Sequence, residues 1–183
     1  MPTKIFGREI ENQMTFVGLA NAGKTTLVRR LKGQDNLETV PTMGMNIETL
    51  KIGDIEVMAA DLGGQVTYPT SLWEPFVSKS VGIVFVFDSA DKSRVEEAGK
   101  WLQQVIKWAP EDSAFLFLAN KQDLAEAMPL ERIIESLGLE REISLRPRTF
   151  AVYPCSALTG EGVDEPWQWM SERFRIITTR KNK

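Results

Sequence analysis

Residues 18 to 25 read Gly18-Leu19-Ala20-Asn21-Ala22-Gly23-Lys24-Thr25, the G-x-x-x-x-G-K-T spacing of a phosphate-cradling loop. Met14-Thr15-Phe16-Val17 before it is a short β-prone run, and Leu27, Val28 and Leu31 after it share one helix face. Such a loop works only where a strand turns into a helix, so these residues commit the chain to a β-loop-α unit. Its glycines let backbone N–H groups converge on phosphate oxygens where a side chain would block the approach. The helix adds its positive end, Lys24 a mobile ammonium and Thr25 a hydroxyl for Mg²⁺. The segment implies a nucleoside-phosphate ligand.

The rest of the chain supplies the other elements of an α/β domain. Val81 to Phe87 and Ala114 to Ala119 are nearly continuous apolar runs, as strands covered on both faces are. Between them Val95, Ala98, Leu102, Val105, Ile106 and Ala109 recur at helical spacing; so do Val163, Trp167, Met170, Phe174 and Ile177 later on. Ile47–Ile52 and Ile55–Ala60 flank Gly53-Asp54, a hairpin signal, and Phe150 to Tyr153 form a last short strand. The expectation is one doubly wound, mostly parallel α/β sheet with an antiparallel edge hairpin. Residues 1–13 form an arm, 14–179 the domain and 180–183 a basic tail.

Composition removes several functions. The 183 residues contain no histidine, which excludes imidazole bases and Ser-His triads. A net charge of −3 gives no basic excess for nucleic acid. The single cysteine, Cys155, cannot form an internal disulfide, so a reducing, cytoplasmic compartment is expected, with any membrane association peripheral. No apolar run approaches the ~20 residues that span a bilayer.

The base is read by Asn120-Lys121-Gln122-Asp123, directly after the 114–119 strand. A carboxylate there accepts from guanine N1–H and the 2-amino group, whereas adenine would leave it unpaired. The Lys121 stem is expected along the base plane, and Asn120 between the base loop and the phosphate loop. Ser156-Ala157-Leu158 follows the last strand, where a backbone N–H would read guanine O6. Asp61, ending the 55–60 strand and followed by Leu62-Gly63-Gly64-Gln65, is positioned to hold Mg²⁺ through water. Gly64 is expected to offer an N–H to the γ-phosphate, Gln65 to orient the attacking water, and Thr42, after Pro41, to complete the metal shell.

Together these residues resemble the small GTPases, and within them the Arf and Arf-like family. The resemblance runs from Met14 to Ile177 and rests on Gly18 to Thr26, Pro41 to Glu48, Asp61 to Gln65, Leu72-Trp73 and Asn120 to Asp123. It implies a P-loop small G domain with a six-stranded sheet. Nucleotide contacts would fall on Asn21, Ala22, Gly23, Lys24, Thr25, Thr26, Thr42, Gly64, Asn120, Lys121, Asp123, Ser156, Ala157 and Leu158, with Lys24 and Gln65 catalytic and Thr25, Thr42 and Asp61 around the metal. It also implies switches at 33–44 and 62–78, an interswitch hairpin at 45–60, and a GTP/GDP cycle with Mg²⁺. Exchange factors and GTPase-activating proteins would drive that cycle, and effectors would read the switch and interswitch surface.

Departures from the family pattern bear on output. Pro2 replaces the acylated glycine and the C-terminus lacks cysteine, so no lipid site is expected. The arm offers Ile5, Phe6 and Ile10, enough for weak membrane contact or for packing on the domain. At the positions of the family's aromatic triad stand Met45, Ala60 and Phe76, and the second switch is one residue longer. Trp101 and Trp108 mark either a contact surface or the core margin. Neither the 33–50 nor the 62–78 segment contains Lys or Arg. Without a resident arginine, worth ~10³–10⁵-fold in phosphoryl transfer, intrinsic hydrolysis is expected to be slow and partner-dependent. The alternatives are a GTP-bound adaptor with negligible hydrolysis and, with less support, a P-loop ATPase or kinase.

Overall fold

The computed structural model describes residues 3–5, 8–10, 12–34, 36–37, 43–53, 55–63, 69–146 and 149–181. Thr42, Gly64 and Gln65 therefore lie outside the described residues. The arm contains two short strands, β1 (Thr3–Ile5) and β2 (Arg8–Ile10), paired antiparallel as a separate sheet. Next come β3 (Gln13–Val17), α1 (Lys24–Leu31), β4 (Met45–Ile52), β5 (Ile55–Leu62) and α2 (Pro69–Val77). The second half runs β6 (Gly82–Asp88), a 3-10 turn at Lys92–Arg94, α3 (Val95–Trp108), β7 (Ala114–Asn120), α4 (Leu130–Leu137), α5 (Leu139–Leu145), β8 (Phe150–Pro154) and α6 (Asp164–Lys181).

The main sheet has six strands in the order β4-β5-β3-β6-β7-β8. Only the β4–β5 pair is antiparallel; the other pairings are parallel. This is the doubly wound sheet with an edge hairpin that the apolar runs and the Gly53-Asp54 turn imply. Strand alternation divides the core into two layers. Ile83, Phe85 and Phe87 of β6 face one way and pack with residues of α2, α3 and α4. Val84 and Val86 face the other way, toward α1 and α6, joining Leu27, Val28, Met170 and Phe174. Phe16, Phe85, Phe115 and Phe117 are among the largest fully buried side chains, each contributing ~1.5–3 kcal/mol relative to exposure. α6 continues through Arg180 and Lys181, so the helix includes two residues that the sequence alone assigns to a tail.

One polar knot interrupts this apolar packing. Gln13 Nε2 donates to Phe76 O (2.7 Å) and to the hydroxyls of Thr15 and Ser80 (both 3.2 Å), and those hydroxyls lie 2.6 Å apart. Gln13, Thr15 and Ser80 are all buried, and their mutual bonding is what makes burial tolerable. The knot fixes the C-terminal end of α2 to the start of the central strand.

Candidate functional site

The candidate site lies at the C-terminal ends of β3, β5, β7 and β8, the usual place for ligands in open parallel sheets. The phosphate loop joins β3 to α1. Gly18 (φ 142°) passes so close to β6 that a Cβ would sit 2.1 Å from Val86 O, and a Cβ on Gly23 (φ 97°) would sit 2.2 Å from Asn120 Nδ2. Both glycines are dictated by backbone conformation and by space. Lys24 Nζ donates to Gly18 O and Leu19 O, each at 3.0 Å, using two of its three N–H donors inside the loop. Burial pulls its pKa down from 10.5 to about 8; Asp61 opposes that shift and Arg94 adds to it. A buried ammonium at the start of a helix is completed by an anion.

Asp61 is fully buried in β5 and accepts a 2.5 Å hydrogen bond from Thr25 Oγ1 on its Oδ2. Its Oδ1 is buried without a hydrogen-bond partner among the described residues. Burial raises the pKa of this carboxyl, the Thr25 hydrogen bond and Lys24 lower it, and Glu48 raises it further. An orphaned oxygen beside a helix-start hydroxyl fits a hydrated Mg²⁺, which takes few protein ligands beside water and phosphate.

Asn120, the last residue of β7, is 2 % exposed and joins three loops. Its Nδ2 donates to Ala22 O of the phosphate loop (2.7 Å), and its Oδ1 accepts from Ala157 N (2.8 Å). Cys155 Sγ lies 3.7 Å from the same oxygen. Ser156 is buried and its Oγ accepts from Thr159 N at 3.1 Å, closing the turn, while Leu158 is 61 % exposed. Arg30 of α1 donates to the carbonyls of Ala157 and Leu158, tying this turn to the phosphate-loop helix. Lys121 adopts a left-handed backbone (φ 67°), and Asp123 stands exposed on the same loop.

The structure thus gathers Asn21 to Thr26, Asp61, Asn120 to Asp123 and Ser156 to Leu158 at the C-terminal end of the sheet. Two neighbours have no motif to announce them. Arg94 donates through Nη1 to Ala20 O (3.2 Å) and through Nε to Glu97 (2.9 Å), and Asp88 pairs with Lys121 at 2.6 Å. The only sequence signal for either is a charged residue at the end of an apolar strand or in the turn that follows it. Of the three positions in the aromatic triad, Met45 is 45 % exposed, Phe76 is partly buried and Ala60 is fully buried in the core. Trp101 meets Trp73 edge-on at 5.6 Å, and both Trp101 and Trp108 pack against the core, which favours the core-margin reading of that pair. Beside the site, Gly63 N donates to Gly44 O (2.7 Å), and its carbonyl accepts from Trp73 Nε1 (3.0 Å).

Phosphate loop, buried acid and base loop on a doubly wound sheet define a nucleotide-binding domain of the P-loop class. The chain matches the ADP-ribosylation factor (Arf) family over residues 1–174 and belongs to that family. It is therefore a small GTPase, a guanine-nucleotide-binding switch that hydrolyses GTP. Among solved structures it is similar to the Arl6 (BBS3) small GTPase of Trypanosoma brucei, solved with the bound nucleotide analogue GppNp. That match has 29 % identity and a TM-score of 0.77, covering 90 % of this chain and 98 % of that one. The mammalian SRP receptor shares the fold at 24 % identity and a TM-score of 0.75, over 88 % of this chain and 100 % of that one.

Proposed function

We propose that this chain cycles between GTP and GDP with slow intrinsic hydrolysis and depends on a GTPase-activating partner that supplies an arginine. Lys24 would hold the β- and γ-phosphates, the phosphate-loop N–H groups from Asn21 to Thr26 would surround them, and Asp123 would accept from guanine. The Lys121 stem would cover the base and Ala157 N or its neighbours would meet O6. Thr25, Thr42 and Asp61, the last through water, would hold Mg²⁺, which would neutralise phosphate charge when bound. Gln65 would orient the attacking water. The observation that carries this reading is Asn120, whose one amide binds Ala22 O and Ala157 N and would join the phosphate and guanine halves into a single site.

In this reading exchange factors and effectors meet the switch and interswitch surface, and membrane contact is weak or indirect. A role in membrane trafficking rests on family membership. Among the described residues no helix is long and apolar enough to cross a membrane.

The test is twofold. Labelled GTP should be displaced by GDP and not by ATP, and D123N should weaken guanine and favour xanthine nucleotides, whose 2-oxo group suits an amide donor. Single-turnover hydrolysis should then be slow alone and accelerated by cell extract. Turnover within seconds without any partner contradicts the proposal, and no acceleration by extract favours the adaptor alternative.

A further inference from the structure

We infer that Asp88 is a positioning residue for nucleotide binding, acting through Lys121; this rests on the guanine-site reading above. Asp88 closes β6 and is the register partner of Asn120 in β7. The chain turns sharply one residue beyond that pair. Lys121 takes the left-handed backbone (φ 67°), a conformation that crowds the Cβ of any residue except glycine. That turn swings its side chain back across the strand ends, where Nζ meets Asp88 Oδ2 at 2.6 Å.

Asp88 is itself held in place. Its second oxygen, Oδ1, accepts the Ala90 N–H at 3.0 Å, so both carboxylate oxygens are engaged. The neighbouring residue repeats the arrangement: Ser89 N donates to Asn120 O (3.0 Å), and Ser89 Oγ accepts from Gln122 Nε2 (2.9 Å). Two adjacent residues of the β6 end thus hold three adjacent residues of the base loop. The ion pair is partly shielded, with the Asp88 and Lys121 side chains 18 % and 30 % exposed.

The consequence is a division of function along one side chain. With its ammonium tied to Asp88, Lys121 presents its methylene stem, and an apolar stem pinned at its far end is a rigid surface for a flat base. Its charge is neutralised locally and is not spent on phosphate. Loss of Asp88 should therefore loosen the base end and leave the phosphate end unchanged.

The experiment measures dissociation of fluorescent N-methylanthraniloyl GDP and GTP from wild type, D88N, K121M, the D88N/K121M double variant and D123N. Asparagine keeps an acceptor for the Ala90 N–H and removes the charge; if D88N fails to fold, D88S retains the same acceptor. D88N and K121M should each accelerate release about three- to tenfold, as expected for a partly shielded ion pair. The double variant should be no faster than the faster single one. The factor should be the same for GDP and GTP and unaffected by chelating Mg²⁺, which a loosening of the phosphate loop would not produce, and the urea midpoint of the GDP-free D88N chain should match wild type, which a general loosening of the fold would not allow. Wild-type release from D88N beside fast release from K121M overturns the inference, as do effects that multiply in the double variant. If instead K121M is inert and D123N keeps its preference for guanine, the guanine-site reading itself fails.

Discussion

Cys155 sits 3 % exposed beneath the Asn120 amide, and burial pushes its thiol up from 9.0 to about 12. Thiolate is the reactive form, so both access and ionisation are withheld. Iodoacetamide should leave the native, nucleotide-loaded chain unlabelled through pH 9 and label the urea-unfolded chain readily, as read by intact mass; rapid native labelling would contradict this placement. At this scale the motif residues were legible because phosphate and guanine demand fixed chemistry at fixed spacing. Lys24, Asn120 and Asp61 are all buried beside the loop that joins β3 to α1. Asp88 and Arg94 were not legible. Their partners, Lys121 and Ala20, lie 33 and 74 residues away in the chain and become neighbours only once the strands align.

Between elements, α1 and β4 are joined by Lys32 and Glu48, with Asn46 Nδ2 adding a 2.9 Å hydrogen bond to the same carboxylate. The Lys32 hydrogen bond, chiefly, holds the Glu48 pKa below its ordinary 4.5. A carboxyl with a depressed folded pKa stabilises the fold above its unfolded value, and that contribution disappears as pH falls through the folded value. E48Q should therefore melt about 1–3 °C below wild type at neutral pH, and the gap should close on acidification below pH 4. A gap that persists or widens in acid would count against the pair. The hairpin strands, β6, β7, α3 and α6 were legible from alternation, apolar runs and helical periodicity. α4 and α5 were not, being eight and seven residues long and separated by Gly138 in a left-handed conformation (φ 64°). The three-residue strands β1 and β2 carry no usable period either.

At the scale of the whole molecule, the sheet is a partition with a separate core on each face, and α6 closes one of them. Gly82 is where that closure is tightest: a Cβ there would lie 2.4 Å from Phe174 Cε2 and 3.2 Å from Met170 Sδ, both side chains buried. G82A should cost about 1–3 kcal/mol by overpacking, measured by urea denaturation of the GDP-loaded chain, whereas an unchanged midpoint would mean that α6 repacks freely. The doubly wound order itself followed from the alternation of strands and helices, but which helix covers which face depends on crossovers that no local pattern records. Gly63, at the end of β5, has its N–H on Gly44 and its carbonyl on the Trp73 indole. Gly63 is thus a tie rod: one residue, bonded on both sides, braces the end of β5 between the segment that enters β4 and the helix that carries Trp73.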